Sequence, residues 1–145
     1  MNKSDNYQNI DKLILDTHVL LWYVEGIQLK NNIINLIDSK RHLGKVFISS
    51  ISIWEIALLS IKGKIVFSIP VKEWIDQVLS TLELKIIELK HNILIESCEL
   101  LNYPHKDPAD RMIIASARET NAHLLTADKK IIDYHKQGYL KAVEI

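Results

Sequence analysis

The segment LILDTHVLLW, residues 13–22, runs from an apolar strand through an acid into an apolar helix. Leu13–Leu15 is a short apolar run, which predicts a buried strand that ends at Asp16. Residues 17–24 have the density of apolar side chains expected of a largely buried helix. In open parallel sheets, ligands gather where the strands end. The segment therefore indicates an α/β fold with Asp16 at its ligand-binding edge.

Short apolar strands alternate with helices along the rest of the chain. Further strands are predicted at residues 45–48, 85–89, 123–126 and 142–145. Further helices are predicted at residues 31–39, 51–62, 70–82, 91–101 and 108–120, with a short one after residue 127. Strands and helices in alternation predict a mainly parallel sheet that is covered by helices on both faces.

The chain has the length and composition of one globular domain. It has 145 residues, of which 48% are hydrophobic and 25% charged. We expect residues 1–11 to be a polar N-terminal extension and residues 12–145 to be a single domain. The first residues lack the apolar core of a signal peptide, and the longest apolar run, VLLWYV, is too short to span a membrane. A single cysteine, Cys98, excludes an intramolecular disulfide and fits a reducing cytoplasm.

Four carboxylates lie within or at the ends of apolar segments of the sequence. They are Asp16, Glu55 in ISIWEIALL, Asp110 in HKDPADRMIIASA and Asp128 in LLTAD. An acid is costly to bury in apolar surroundings unless a cation neutralises it. The helix around Glu55 is apolar on almost every side, so this acid is the hardest to explain as a surface residue.

The four acids would meet if the first and fourth strands are neighbours and the helices that carry Glu55 and Asp110 begin at the same edge. Such a cluster needs Mg²⁺ or Mn²⁺, which prefer oxygen ligands. Without the metal, we expect the carboxylates to bind protons more tightly than usual.

Each acid also has a purely structural interpretation. Asp16 can cap the helix that follows it, and Asp128 can occupy the first turn of a helix that is capped by Thr126. Glu55 can lie on a narrow exposed stripe of its helix. These interpretations stay open at the level of sequence.

The HKDPADRM motif combines a helix start with two acids. Asp107 suits the N-cap, Pro108 the first helical position and Asp110 the third, where an acid favours the helix dipole. Capping does not explain why Asp110 and Arg111 crowd the same turn. We therefore assign Asp107 mainly to capping and Asp110 mainly to chemistry.

Phosphodiester hydrolysis is the chemistry that such an acidic metal site serves. Metals lower the pKa of a water, polarise the phosphoryl group and stabilise the leaving oxygen, so no protein nucleophile is required. The sequence has no phosphate-binding P-loop, no GxGxxG signature and no HExxH motif.

The motifs LILDTHVLLW, ISSISIWEIALL, HKDPADRMIIASA and LLTAD resemble, in order and context, the signatures of PIN-domain nucleases, specifically VapC-type toxins. The resemblance extends from about residue 12 to residue 134. It implies a three-layer α/β/α fold, Mg²⁺-dependent endoribonuclease activity and control by a cognate VapB-like antitoxin. It also implies a homodimer and an apolar groove that receives an antitoxin segment, for which the surface around Trp22 is our candidate.

The resemblance assigns roles to individual residues. Asp16, Glu55, Asp110 and Asp128 correspond to the four family acids as catalytic residues and metal ligands, with the first and third the firmest ligands. Thr126 matches a small hydroxyl residue beside the acids, which we predict to contact substrate. The expected substrate is tRNA or ribosomal RNA.

The balance of charge is unusual for a protein that binds RNA. Eighteen Lys and Arg match eighteen Asp and Glu, so the whole protein gives no long-range attraction to a polyanion. A local basic rim would have to contact the phosphates. The candidates for that rim are Lys106, Arg111, Arg118, Lys129 and Lys130.

Two other functional classes remain as alternatives. A signalling receiver domain also has an acidic Mg²⁺ site, but it needs an acidic pair after the first strand, where only Asp16 stands. A PIN-like interaction module without catalysis would bind a protein through the Trp22 region, although the presence of all four acids argues against it.

Overall fold

The computed structural model describes residues 7–145. The predicted polar extension lies partly outside this range, because residues 1–6 are not described. Within its described part, Ile10 is buried, and Asn32 Nδ2 donates a hydrogen bond to the Tyr7 hydroxyl at 3.2 Å. Residues 7–10 thus contact the folded domain through both apolar and polar side chains.

Strands and helices alternate through the described chain, as the sequence predicts. The strands are β1 (Leu13–Leu15), β2 (Val46–Ser49), β3 (Lys85–Ile87), β4 (His123–Thr126) and β5 (Ala142–Glu144). The helices are α1 (Thr17–Glu25), α2 (Asn31–Arg41), α3 (Ser50–Ile61), α4 (Val71–Thr81), α5 (His91–Cys98), α6 (Pro108–Thr120) and α7 (Lys129–Lys136). Among residues 7–145, no helix is both long and apolar enough to cross a membrane.

The five strands form one parallel sheet in the order β3-β2-β1-β4-β5. Leu13 of β1 pairs with Val46 on one side and with His123 on the other. The central position of β1 confirms the expectation that the first and fourth strands are neighbours. It also brings the ends of β1 and β4, and the acids that follow them, to the same edge.

Helices cover both faces of the sheet and enclose two apolar cores. Successive side chains of a strand point to opposite faces. Ile14 accordingly belongs to the core beneath α5, α6 and α7, whereas Leu13 and Leu15 belong to the core beneath α1, α2 and α4. This arrangement confirms the predicted three-layer α/β/α fold with its central parallel sheet.

The ends of the helices follow local capping chemistry. Asp107 caps α6 by accepting a hydrogen bond from Asp110 N at 3.1 Å, and Pro108 occupies the first turn, as predicted. The predicted helix at residues 91–101 was too long, since α5 ends at Cys98. Leu100 turns into the core there, and Asn102 follows with a positive φ of 59° that a helix does not allow.

Candidate functional site

Asp16 lies at the carboxyl end of the central strand and is held by two hydrogen bonds. Its Oδ1 accepts from Thr17 N at 2.8 Å, and its Oδ2 accepts from Thr126 Oγ1 at 2.7 Å. The first bond is the capping contact that the sequence suggested. The second joins the ends of β1 and β4, so the carboxylate is fixed in orientation by two adjacent strands.

Thr126 is fully buried between two of the acids. Its hydroxyl donates to Asp16 and accepts from Asp128 N at 3.0 Å. Both contacts lie within the protein, and a hydroxyl has one proton to donate. This position differs from the predicted contact with substrate, because Thr126 is inaccessible and instead orients the acids.

Glu55 is held by a residue of a different helix. Thr17 Oγ1 lies 2.6 Å from Glu55 Oε1 and 2.8 Å from Ser52 Oγ. Because a carboxylate only accepts, the Thr17 hydroxyl donates to Glu55. Thr17 and Ser52 are both buried, and neither was among the predicted site residues. The available signal was the hydroxyl residue directly after Asp16.

Asp110 and Asp128 lie at the starts of two helices. Asp110 is in the first turn of α6, and Asp128 is the N-cap of α7, where its Oδ1 accepts from Lys130 N at 2.9 Å. The structural alternative weighed for Asp128 placed it inside the first turn with Thr126 as the cap. The structure moves the cap by two residues because Thr126 is still part of β4.

All four acids line one cavity of about 410 Å³. Its other lining residues are His18, Val19, Trp22, Asp107 and Ala127. The expected meeting of the four carboxylates at the edge of the sheet is therefore observed. Helix α1 contributes two aromatic side chains to the same wall.

Asp16, Glu55 and Asp110 hold protons more tightly than free carboxylates. Burial, followed by the negative charges of Asp107, Asp16, Asp128 and Glu55, raises the pKa of Asp110 from 3.8 to about 7. Burial also raises the pKa of Asp16 and of Glu55. Within residues 7–145, none of the four acids forms an ion pair with a lysine or arginine.

The donor set of the cavity suits a hard divalent cation. Beside the imidazole of His18, it offers the carboxylate oxygens that Mg²⁺ and Mn²⁺ prefer, and an excess of negative charge. In the described part of the chain, no three His, Cys, Asp or Glu side chains are close enough together to hold a metal ion. The chemistry of the site therefore fits such a cation, and binding would require the carboxylates to approach one another.

Two of the five predicted phosphate-binding cations are engaged by the protein. Arg111 Nη1 donates to Ser97 O at 3.3 Å and Nη2 to Tyr103 O at 3.0 Å. Arg118 Nε donates to Glu96 Oε1 at 2.7 Å, and its Nη1 donates to Tyr139 O. Both arginines thus join α6 to neighbouring segments, which differs from the predicted rim. Their sequence neighbourhood gave no sign of these partners.

The three lysines of the predicted rim are exposed. Lys106 lies just before α6, and Lys129 and Lys130 begin α7. No ion pair involves any of them among the residues that the structure describes. They remain available to a ligand near Asp110 and Asp128.

Tyr103 packs beside one of the engaged arginines. Its side chain is buried, with Arg111 5.4 Å from the ring centroid, and its hydroxyl has no hydrogen-bond partner in residues 7–145. Burial, then the charges of Asp110 and Asp128, raises the pKa of the Tyr103 hydroxyl above its usual value. The hydroxyl is thus a neutral, unpaired donor near the acidic cavity.

A larger apolar groove of about 540 Å³ adjoins the acidic cavity. Glu55, Asp107 and His18 line both. The floor of the groove is formed by apolar side chains of α3 and α6, and Trp54 stands at its side with 56% of its surface exposed. Lys62 and Lys64 also line the groove.

Comparison with known proteins matched residues 13–137 to the model of the PIN domain. Ribonuclease VapC22 from Mycobacterium tuberculosis (strain ATCC 25618 / H37Rv) is 28% identical over 120 residues, which are 82% of this chain and 88% of that protein.

Two solved structures share the fold. One is VapBC2 from Rickettsia felis, bound to a DNA fragment from its promoter. It has a TM-score of 0.65 and 21% sequence identity to this chain, and the alignment covers 91% of this chain and 97% of the VapBC2 chain. The other is FitAcB from Neisseria gonorrhoeae, with a TM-score of 0.63 and 16% sequence identity. The alignment covers 91% of this chain and 96% of the FitAcB chain. At these identities, the two structures establish the similarity of the fold.

Proposed function

This chain belongs to the PIN-domain family, and from that premise we propose that it is a metal-dependent endoribonuclease and the toxin of a toxin-antitoxin pair. The observation that carries the proposal is the single cavity that Asp16, Glu55, Asp110 and Asp128 line together. The similarity to a named ribonuclease and to a VapBC complex supports the RNA substrate and the antitoxin.

We propose that the four acids hold Mg²⁺, with Mn²⁺ as a substitute. Asp16 and Asp110 are the proposed principal ligands, and Glu55 and Asp128 complete the acidic site. A bound divalent cation supplies a water of lowered pKa and stabilises charge on the phosphoryl group. The unbalanced negative charge of the cavity favours the binding of such a cation.

The chain's own residues orient the proposed ligands. Thr126 fixes one oxygen of Asp16, and Thr17 fixes one oxygen of Glu55. Buried hydroxyls of this kind act as the outer partners that position metal ligands, and their loss typically costs about 10- to 100-fold in metal affinity or activity. Asp110, with a pKa of about 7, carries a proton about half of the time at neutral pH and would release it to a cation.

The proposed substrate is an unpaired segment of tRNA or ribosomal RNA, because proteins read bases in single-stranded loops and bulges. We propose that Lys106, Lys129 and Lys130 contact its phosphates, since these side chains are exposed beside the acids. Arg111 and Arg118 are left out of this proposal because protein groups already engage them.

We propose that a VapB-like antitoxin inhibits the enzyme and that the toxin forms a homodimer in the cytoplasm. We propose the apolar groove beside Trp54 as the antitoxin site in place of the predicted surface around Trp22, because the groove is more apolar than the acidic cavity and shares Glu55 and Asp107 with it. A segment bound there would obstruct access to the acids. Exposed Ile61 and Val66 offer apolar surface for a second copy.

Cleavage of RNA by the purified, antitoxin-free protein tests the proposed activity. With Mg²⁺ or Mn²⁺ present, we expect cleavage by the wild type and a loss of at least about 100-fold in Asp16→Asn and Asp110→Asn, with the fold preserved. Asp76→Asn is the matched control, because Asp76 is exposed on α4 and pairs with Lys72.

Full cleavage by Asp16→Asn or Asp110→Asn would overturn the assignment of the site. A folded wild-type protein that neither cleaves RNA nor binds Mn²⁺ would instead favour an interaction module without catalysis.

A further inference from the structure

The cavity that contains the four acids also has an aromatic wall. His18 and Trp22 are four residues apart on α1, so their side chains lie on the same face of the helix. Their ring centroids are 6.0 Å apart, with an angle of 51° between the ring planes. Both side chains line the cavity together with Asp16, Asp110 and the other acids.

The core does not account for the position of Trp22. Tyr23 and Val24, the next residues of α1, pack against the core beneath α1, α2 and α4. Trp22 is half-buried and, in the described part of the chain, belongs to neither core cluster. Trp74, in contrast, stacks on Phe67 with 4.3 Å between the ring centroids, and it packs against the core. The indole of Trp22 is therefore open to a ligand.

Electrostatics makes a non-ionic contact important at this position. The cavity is lined by carboxylates, which repel the phosphates of RNA, and the chain as a whole has no net charge. Arg111 and Arg118 are engaged within the protein. Base stacking on an aromatic ring strengthens the binding of any base and does not depend on charge attraction.

We propose that Trp22, with His18 beside it, is the stacking platform for an unpaired RNA base next to the phosphate that is cleaved. The inference rests on the proposed endoribonuclease function and adds a subsite to it. An RNA base is favoured over a protein segment because the rings share one cavity with the acids. A base that stacks on Trp22 would therefore share one cavity with Asp16 and Asp110.

The first test compares Trp22→Leu and Trp22→Phe with the wild type on a single-stranded RNA that contains a mapped cleavage site. Abasic nucleotides are placed, one at a time, at the positions that flank the cut. We expect one abasic position to lower kcat/KM of the wild type by about 5- to 100-fold, and Trp22→Leu to lower it similarly on the intact RNA.

The test depends on whether the effects of Trp22→Leu and of the abasic substitution are independent of each other. In Trp22→Leu, the same abasic substitution should have no further effect, and Trp22→Phe should restore most of the activity because it keeps an aromatic face. Leu43→Ala is the control, since Leu43 is an exposed apolar residue that lines neither the cavity nor the groove, and it should show no coupling to any position. Independent, multiplicative effects of Trp22→Leu and of every abasic position would overturn the proposal.

A binding measurement separates this proposal from the proposed activity. In the Asp110→Asn background, a short oligouridine that carries one 2-aminopurine should lose fluorescence on binding, because the base stacks on Trp22. Trp22→Leu in this background should abolish that loss, and Leu43→Ala should retain it. Equal quenching with and without Trp22 would refute the platform, whether or not the wild type cleaves RNA.

Discussion

The acidic cavity and the contact between α5 and α6 differ in whether their charged side chains are paired. Between these helices, Arg118 pairs with Glu96, and Arg111 donates to two backbone carbonyls. In the cavity, Asp16 and Glu55 receive hydrogen bonds from neutral groups, and no ion pair balances them among the described residues. Charge that is satisfied by the protein stabilises the fold. Charge that is left unbalanced in the cavity supports the cation site that we propose.

One helix contributes to both regions. Asp110 and Arg111 are adjacent on α6, and successive residues of a helix point about 100° apart. Asp110 thus faces the cavity, while Arg111 reaches back to the segment around Tyr103. The two regions predict opposite effects of removing a charge, which the following substitutions test.

Replacing Arg111 by Met should give the largest change in stability. The substitution leaves the backbone carbonyls of Ser97 and Tyr103 without their side-chain donor. It also removes the cation next to the Tyr103 ring. We expect the free energy of unfolding to fall by about 2–3 kcal/mol. Urea denaturation measures it, and an unchanged midpoint would show that the contact between α5 and α6 does not depend on this charge.

Replacing Asp110 by Asn should instead raise the free energy of unfolding of the metal-free protein. The raised pKa means that the folded state binds a proton more tightly than the unfolded state, so wild-type stability falls as the pH rises from about 4 to about 7. Asparagine removes this dependence. After allowance for solvent screening, we expect a gain of about 1–2 kcal/mol above pH 7 and none near pH 4. A variant that is less stable at every pH would contradict the unbalanced charge of the cavity.

Replacing Tyr103 by Phe tests the boundary between the two regions. The buried hydroxyl has no hydrogen-bond partner in the described chain, so its removal relieves a desolvation cost. We expect the metal-free protein to gain up to about 1 kcal/mol. Tyr134→Phe is the control, because its hydroxyl donates to Leu101 O at 2.8 Å and its loss should be destabilising. A loss of stability in Tyr103→Phe would show that the hydroxyl has an acceptor.

Local sequence was sufficient to predict most of the architecture. The apolar run before Asp16, the Asp107 cap and Pro108 are determined by neighbours in the chain, and the structure confirms them. The meeting of the four acids followed from two tertiary assumptions: that the first and fourth strands are adjacent, and that the helices carrying Glu55 and Asp110 begin at the same edge. The sheet order confirms the first, and the shared lining of one cavity agrees with the second.

The engagement of individual side chains was not accessible to the same reasoning. Arg111 and Arg118 bind groups 8 to 22 residues away in sequence, and nothing in the motif HKDPADRM indicates those partners. The burial of Thr126 depends on the strand pairing that places it against Asp16. The open face of Trp22 could not be distinguished from the buried faces of its neighbours by an apolar pattern alone.

Calorimetric titration of the metal-free protein with Mn²⁺ at neutral pH tests the central claim most directly, namely that the acidic cavity is a cation site. The wild type should bind Mn²⁺ with release of protons, since Asp110 is about half protonated at this pH. Asp110→Asn should lose most of the binding, and Asp76→Asn should retain it. The account is contradicted if the wild type takes up no Mn²⁺ at millimolar concentration or if Asp110→Asn binds as tightly as the wild type.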